Sequence, residues 1–180
     1  MYSRRTLRAC FGQRDARCAL VDDVRIFPTE FITVINSFSA LWRIDPSKLS
    51  AFNPSSPKSR RIGGGALIDL KGLQSVLKSA DFDLDAIWVA TDRCEIDLEN
   101  YKWTYENVVQ MLVSLTASDY DKSEWCKVSG GRSVPCDVYV MPYDSIRQVR
   151  SAKGLEVYMK FSIETDGTLT LVLVSCHPPR

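Results

Sequence analysis

The sequence predicts an α+β chain of two layers, with N-terminal helices packed on one face of a C-terminal antiparallel β-sheet. Three observations predict it. Apolar residues recur at helical spacing over Ile68–Ala80 and again over Thr104–Leu115. Past Pro135 the pattern becomes strand-like, with β-rich or alternating runs at 135–143, 155–164 and 168–177. Between the last two runs lies Asp166–Gly167, a turn pair that favours a hairpin. Helices followed by a meander bury their apolar faces against one another as two layers.

The elements follow in chain order. At 180 residues and 45% apolar, the chain can bury one core and carry an appendage. Residues 1–65 hold 11 Lys and Arg against 5 Asp and Glu, while residues 66–180 hold 12 against 17. The two parts therefore carry +6 and −5, hidden inside a net charge of +1. "NPSSPKSRRIGGG", Asn53–Gly65, reads as a linker because its prolines, serines and glycines break regular structure. We divide the chain into a basic extension, 1–65, and a main domain, 66–180. Within the extension, Glu30–Ile44 has apolar positions suited to an amphipathic helix, an accessory element or an RNA-binding arm.

In the main domain, Asp69 is placed as the N-cap of the first helix and Thr104 as that of the second. Val108, Val109, Met111, Leu112 and Leu115 form the second helix's core stripe. Thr116 then caps a short turn, "ASDYDKS", whose acids suit a first turn and whose Lys122 falls at its end. On spacing alone Lys122 is a solvated surface charge.

Several classes of function are disfavoured. The six cysteines are irregularly spaced without a C-x-x-C pair, and His177 is the only histidine, which argues against a structural zinc site or a disulfide framework. No apolar run is long enough to span a membrane. Arg4, Arg5, Arg8 and Arg14 precede any acid but lack the apolar core of a secretory signal. The expected location is the reducing cytoplasm.

Register places candidate chemistry on the sheet. A two-residue turn at Asp166–Gly167 pairs Thr165 with Thr168. It sets Val157, Met159, Phe161 and Ile163 beside Thr170, Val172, Val174 and Cys176 on the core face. The opposite face then carries Tyr158 opposite Ser175, with His177 diagonal to Tyr158 and Lys160 nearby. Any half-wet strand produces Tyr and Lys on its outer face, so the pattern alone favours an ordinary solvated surface.

Three blocks carry a resemblance: "SLTASDYDKS", "DVYVMP" and "LEVYMKFSIETDGTLTLVLVSCH". In this order they resemble the MqsR family of toxin ribonucleases, in the RelE-like superfamily of type II toxin–antitoxin systems, over about residues 68–180. The resemblance implies a RelE-like fold and a cytoplasmic endoribonuclease, an mRNA interferase that cuts messenger RNA at GCU-type sequences without metal or other cofactor. It also implies a cognate antitoxin with a zinc-binding part and a DNA-binding helix-turn-helix part. The family's catalytic lysine falls on Lys122 and its tyrosine on Tyr158, with Lys160 matching the lysine that follows. Such residues suit the chemistry. Attack by a ribose 2′-hydroxyl on its own phosphodiester needs a proton acceptor, a donor to the leaving 5′-oxygen and positive charge beside the phosphorane. Lys122 and Lys160 supply charge, Tyr158 orients or transfers a proton, and His177 belongs to the residue type that titrates near neutrality.

The departures matter as much. Cys136 stands where the family has glutamine, Val140 where it has arginine, and His177 where it has a lysine near the end of the last strand. The segment between Pro142 and Tyr158 is long and basic, with Arg147, Arg150 and Lys153 as candidate RNA contacts. An attenuated nuclease, or an inactive relative that binds RNA or antitoxin, is the alternative reading.

Overall fold

The computed structural model describes residues 38–49 and 60–179. Three helices pack against one sheet: α1 (Leu70–Leu77), α2 (Asp92–Tyr101) and α3 (Tyr105–Ser114). The seven strands are β1 (Arg61–Ile62), β2 (Ile87–Val89), β3 (Tyr120–Lys127), β4 (Ser133–Asp144), β5 (Val149–Arg150), β6 (Leu155–Glu164) and β7 (Thr170–His177). Their order is β1-β3-β4-β6-β7-β2, with β5 paired to β4. All pairs are antiparallel except β2, which runs parallel to β7. The α+β architecture with helices ahead of the C-terminal strands is the one expected.

The helices begin where their side chains can stand in for missing backbone partners. Thr104 N–H donates to Asn107 Oδ1 at 3.0 Å, and Asn107 N–H donates to Thr104 Oγ1 at 3.4 Å, closing a reciprocal cap on α3. Val108, Met111 and Leu112 are fully buried below it. Asp69 does occupy the N-cap position of α1, but its carboxylate makes no capping bond. Its N–H instead donates to Leu41 O at 2.7 Å. Gln74 of α1 donates to Leu112 O and Leu115 O, satisfying carbonyls at the end of α3 and joining the two helices.

Neither β2 nor α2 is predicted by the sequence. β2 has three residues, too few for periodicity, and "DRCEIDLENY" is too polar to show a clear stripe. Thr91 explains both start and docking of α2: Cys94 N–H donates to Thr91 Oγ1 at 3.1 Å, and that hydroxyl donates to Val174 O of β7 at 2.9 Å.

Four expectations are corrected. Only Ala117–Asp119 of "ASDYDKS" is a tight turn, and from Tyr120 the chain is strand β3, paired with β4 along its length. The presumed linker is structured at its end, where Arg61 and Ile62 pair with Glu124 and Ser123. Buried Asp137 explains the docking: its carboxylate accepts from Leu67 N–H, Ile68 N–H and the Ser123 hydroxyl at 2.5–3.0 Å. Third, the helix expected at 30–44 lies outside the described residues up to position 37. Phe38 and Ser39 are helical as expected, but the chain then turns rather than running as helix to 44: Trp42 bridges to Ile68, and Leu41 is buried in the main core.

Fourth, the β6–β7 register differs. The connection spans 165–169 rather than two residues, with Gly167 at φ 80°, and Phe161 pairs with Leu173 and Ile163 with Leu171. A bulge after Lys160 then brings Met159 opposite Cys176 and Tyr158 directly opposite His177. Leu169, Leu171 and Leu173 therefore face the helices. Val172 and Val174 face the other way, into a second cluster with Ala90, Cys126, Val128, Val134 and Cys136. Alternation alone could not decide this because β7 is apolar on both faces.

Candidate active site on the outer face of the sheet

The strand pairings build one continuous surface on the face away from the helices. Lys122 of β3 lies opposite Val138 of β4, which in turn lies opposite Lys160 of β6. Glu124 lies opposite Cys136, Tyr158 opposite Val140, and His177 opposite Tyr158. Lys122, Tyr158, Lys160 and His177 therefore share a face, which the corrected register tightens. The cost of misreading β3 as a turn was Glu124, which sequence reasoning missed.

Glu124 is the electrostatic centre of the group. Lys160 Nζ donates to its Oε1 at 2.5 Å, and Lys122 Nζ is 3.8 Å from its Oε2. Lys122 Nζ is also 3.7 Å from Asp121 Oδ2. The Lys160 side chain is only 18% exposed, that of Lys122 32%. Burial opposes the Lys160 charge, but Cys126, Glu124 and Tyr158 outweigh it and hold the ammonium above its ordinary value.

Tyr158 and His177 form the second half. Their rings stack with centroids 5.4 Å apart and planes 28° from parallel, and Lys160 Nζ lies 5.5 Å from the Tyr158 centroid. Burial lifts the Tyr158 phenol above its ordinary value despite the pull of Lys160 and Lys122. Tyr158 is thus kept as a proton donor at neutral pH. His177 Nδ1 lies 2.5 Å from Pro178 O, and because a carbonyl only accepts, Nδ1 carries the proton. In that tautomer Nε2 is the acceptor.

The remaining candidates are placed differently. Cys136 is fully buried beneath this face beside Cys126. Val140 is half-buried. The long segment after Pro142 is an extension of the β4–β6 hairpin containing β5, beyond the Tyr158 end of the sheet. On it Arg147 is exposed, 3.9 Å from Asp144. Lys153 is exposed as well. Arg150 is committed elsewhere: it donates from both terminal nitrogens to Asp119, at 2.6 and 2.7 Å. That clasp ties β5 to the turn before β3.

A cavity of about 300 Å³ adjoins the lysines, lined by Arg60, Glu124, Trp125, Cys126, Lys127, Lys160 and Val174. Larger cavities of about 950 and 720 Å³ lie among α1, the 165–169 connection and the α2–α3 junction, away from these residues. Among the described residues no cluster of three or more His, Cys, Asp or Glu has a metal-binding arrangement. Nor is any described helix long and apolar enough to cross a membrane.

These features define an α+β protein with a lysine–glutamate–tyrosine–histidine group on an open sheet face. No family model, curated protein or solved structure matches the chain.

Proposed function

We propose that the outer sheet face cleaves RNA, as a metal-independent endoribonuclease of the toxin class. The observation that supports this reading is the convergence of Lys122, Tyr158, Lys160 and His177 from three separate strands onto one surface. In this mechanism neutral His177 takes the 2′-hydroxyl proton at Nε2, and Tyr158 donates to the leaving 5′-oxygen. Lys122, the more exposed lysine, stabilises the phosphorane charge. Lys160 holds Glu124 and lies beside the Tyr158 ring. The same reading implies action on messenger RNA in the cytoplasm and a co-encoded antitoxin with zinc-binding and helix-turn-helix parts.

A second reading rests on the charge balance. Asp121 and Glu124 offset Lys122 and Lys160 one for one, and the floor beneath is apolar Cys136, Val138 and Val140. Such a face suits a catalytically weak relative that binds RNA or antitoxin.

The test is cleavage of a defined transcript by purified protein with chelator present. Active protein yields 2′,3′-cyclic phosphate ends and spares a substrate with a 2′-deoxy residue at the cut. Lys122→Ala and Tyr158→Phe each slow cleavage by about 10²–10⁴-fold. Intact RNA with wild-type protein sinks the enzyme, and retained RNA binding then favours the second reading.

A further inference from the structure

Cys126 and Cys136 lie on adjacent antiparallel strands, at diagonal positions of one face: Cys126 pairs with Val134, and Cys136 with Glu124. Both belong to the small outer-face cluster, and each thiol donates to a backbone carbonyl of its own strand, Cys126 to Glu124 O at 3.6 Å and Cys136 to Val134 O at 3.7 Å. Their surroundings differ. Cys136 is wholly buried, whereas Cys126 lines the 300 Å³ cavity beside Lys160, Lys127 and Arg60. That cavity has room for a small peroxide.

We propose that Cys126 is a hydroperoxide-reactive thiol, with Cys136 as the thiol that resolves its oxidised form. The Cys126 thiolate attacks one peroxide oxygen, so that an S–O bond forms, the O–O bond breaks and the departing oxygen leaves as hydroxide or alkoxide, which takes up a proton. Sulfur is oxidised by two electrons to the sulfenic acid and the peroxide is reduced. Cys136 then loses its proton and attacks the Cys126 sulfur. The S–S bond forms and the S–O bond breaks, releasing water.

The electrostatics agree with this division of labour. The neighbouring Cys136 thiol, together with Lys160 and Arg60, holds Cys126 below the ordinary thiol value despite its burial. Burial and the neighbouring Cys126 push Cys136 well above it, so Cys136 remains protonated. The second thiol pair in the described chain, Cys94 and Cys176, lies in the helix-facing core, where burial raises both and Cys94 reaches about 12. That pair serves as an internal contrast. Diagonal backbones ~7–8 Å apart exceed the usual disulfide span, so closing the bridge draws the two strands together, and the bridge is strained and readily reduced.

The inference is independent of the nuclease reading, because its test follows thiol chemistry. Full-length protein is treated with hydrogen peroxide, alkylated and digested with trypsin. The expected product links peptide 123–127 to peptide 133–147 and disappears on reduction. In Cys136→Ser, dimedone labels Cys126. In Cys126→Ser, Cys136 is left unoxidised. Lys160→Met raises the Cys126 pKa and slows its alkylation at pH 7 about threefold per unit, as a tenfold loss of thiolate is partly offset by greater nucleophilicity. Circular dichroism confirms that each variant is folded. The inference is overturned if peroxide that oxidises glutathione leaves folded wild-type Cys126 unlabelled and unlinked, or if Cys136 or Cys94 reacts faster.

Discussion

Glu124 and Asp137 show how differently two carboxylates on neighbouring strands are used. Glu124 is partly exposed and shared between two lysines, so its charge competes with any phosphate for them. Removing that charge favours a polyanion. Glu124→Gln is expected to tighten binding of a short RNA about fivefold, the equivalent of about 1 kcal/mol for unit charges ~4 Å apart in water. Fluorescence anisotropy at fixed salt measures it, and weaker binding would show that Glu124 is needed to hold the lysines in place. Asp137 is inaccessible and receives three donors from the segment 67–68 and from Ser123. Asp137→Ala leaves the Leu67 and Ile68 N–H groups buried without that partner, while Ser123 keeps Gly65 O. The expected loss is about 2–4 kcal/mol in denaturant unfolding.

At the scale of elements, the clasp between Asp119 and Arg150 joins the hairpin extension to the turn that opens β3. Burial works against ionisation of Asp119, but Arg150 and Thr116 outweigh it and hold the carboxyl below its ordinary value. The native state therefore binds a proton less readily than the unfolded chain. The clasp's stabilisation is fully present above pH ~4, the unfolded aspartate value, and is lost as pH falls through the lower native value. Asp119→Asn is expected to flatten this acid limb in urea midpoints measured from pH 6 to pH 2. An unchanged limb would assign the acid sensitivity to other carboxylates. On the RNA reading, the clasp withdraws Arg150 from the candidate contacts and leaves Arg147 and Lys153 on that hairpin.

At the scale of the whole molecule, part of the basic excess lies beside the candidate face, at Arg60 and Arg61. Of the +6 carried by residues 1–65, positions 1–37 contribute +2 and positions 38–65 contribute +4. Arg61 sits on β1 opposite Glu124, beside the candidate face. Deleting 1–65 would remove β1 and buried Leu41 together, confounding charge with folding. Deleting 1–37 is the cleaner comparison. On the RNA reading, this truncation keeps most of the affinity, while Arg61→Ala lowers the slope of log affinity against log salt by about 0.7, one single-strand phosphate contact. A salt slope unmoved by Arg61→Ala but collapsed by the truncation would place the electrostatic contact in 1–37.

The sequence by itself determined the α+β class, the capped helix α3 and the two long strands β4 and β6, because these depend on local periodicity and local caps. It also singled out Lys122, Tyr158, Lys160 and His177, through spacing and a family resemblance that implies their roles. Tertiary structure decided what those residues meet. β3 is too polar to read as a strand, yet pairing with β4 and docking of β1 hold it extended, and this is what puts Glu124 between the lysines. β7 is apolar on both faces, so only the bulge after Lys160 could set Tyr158 against His177 and turn Val172 and Val174 toward Cys126 and Cys136. Contacts between distant strands fix register and burial, and neither is encoded in the local pattern of either strand.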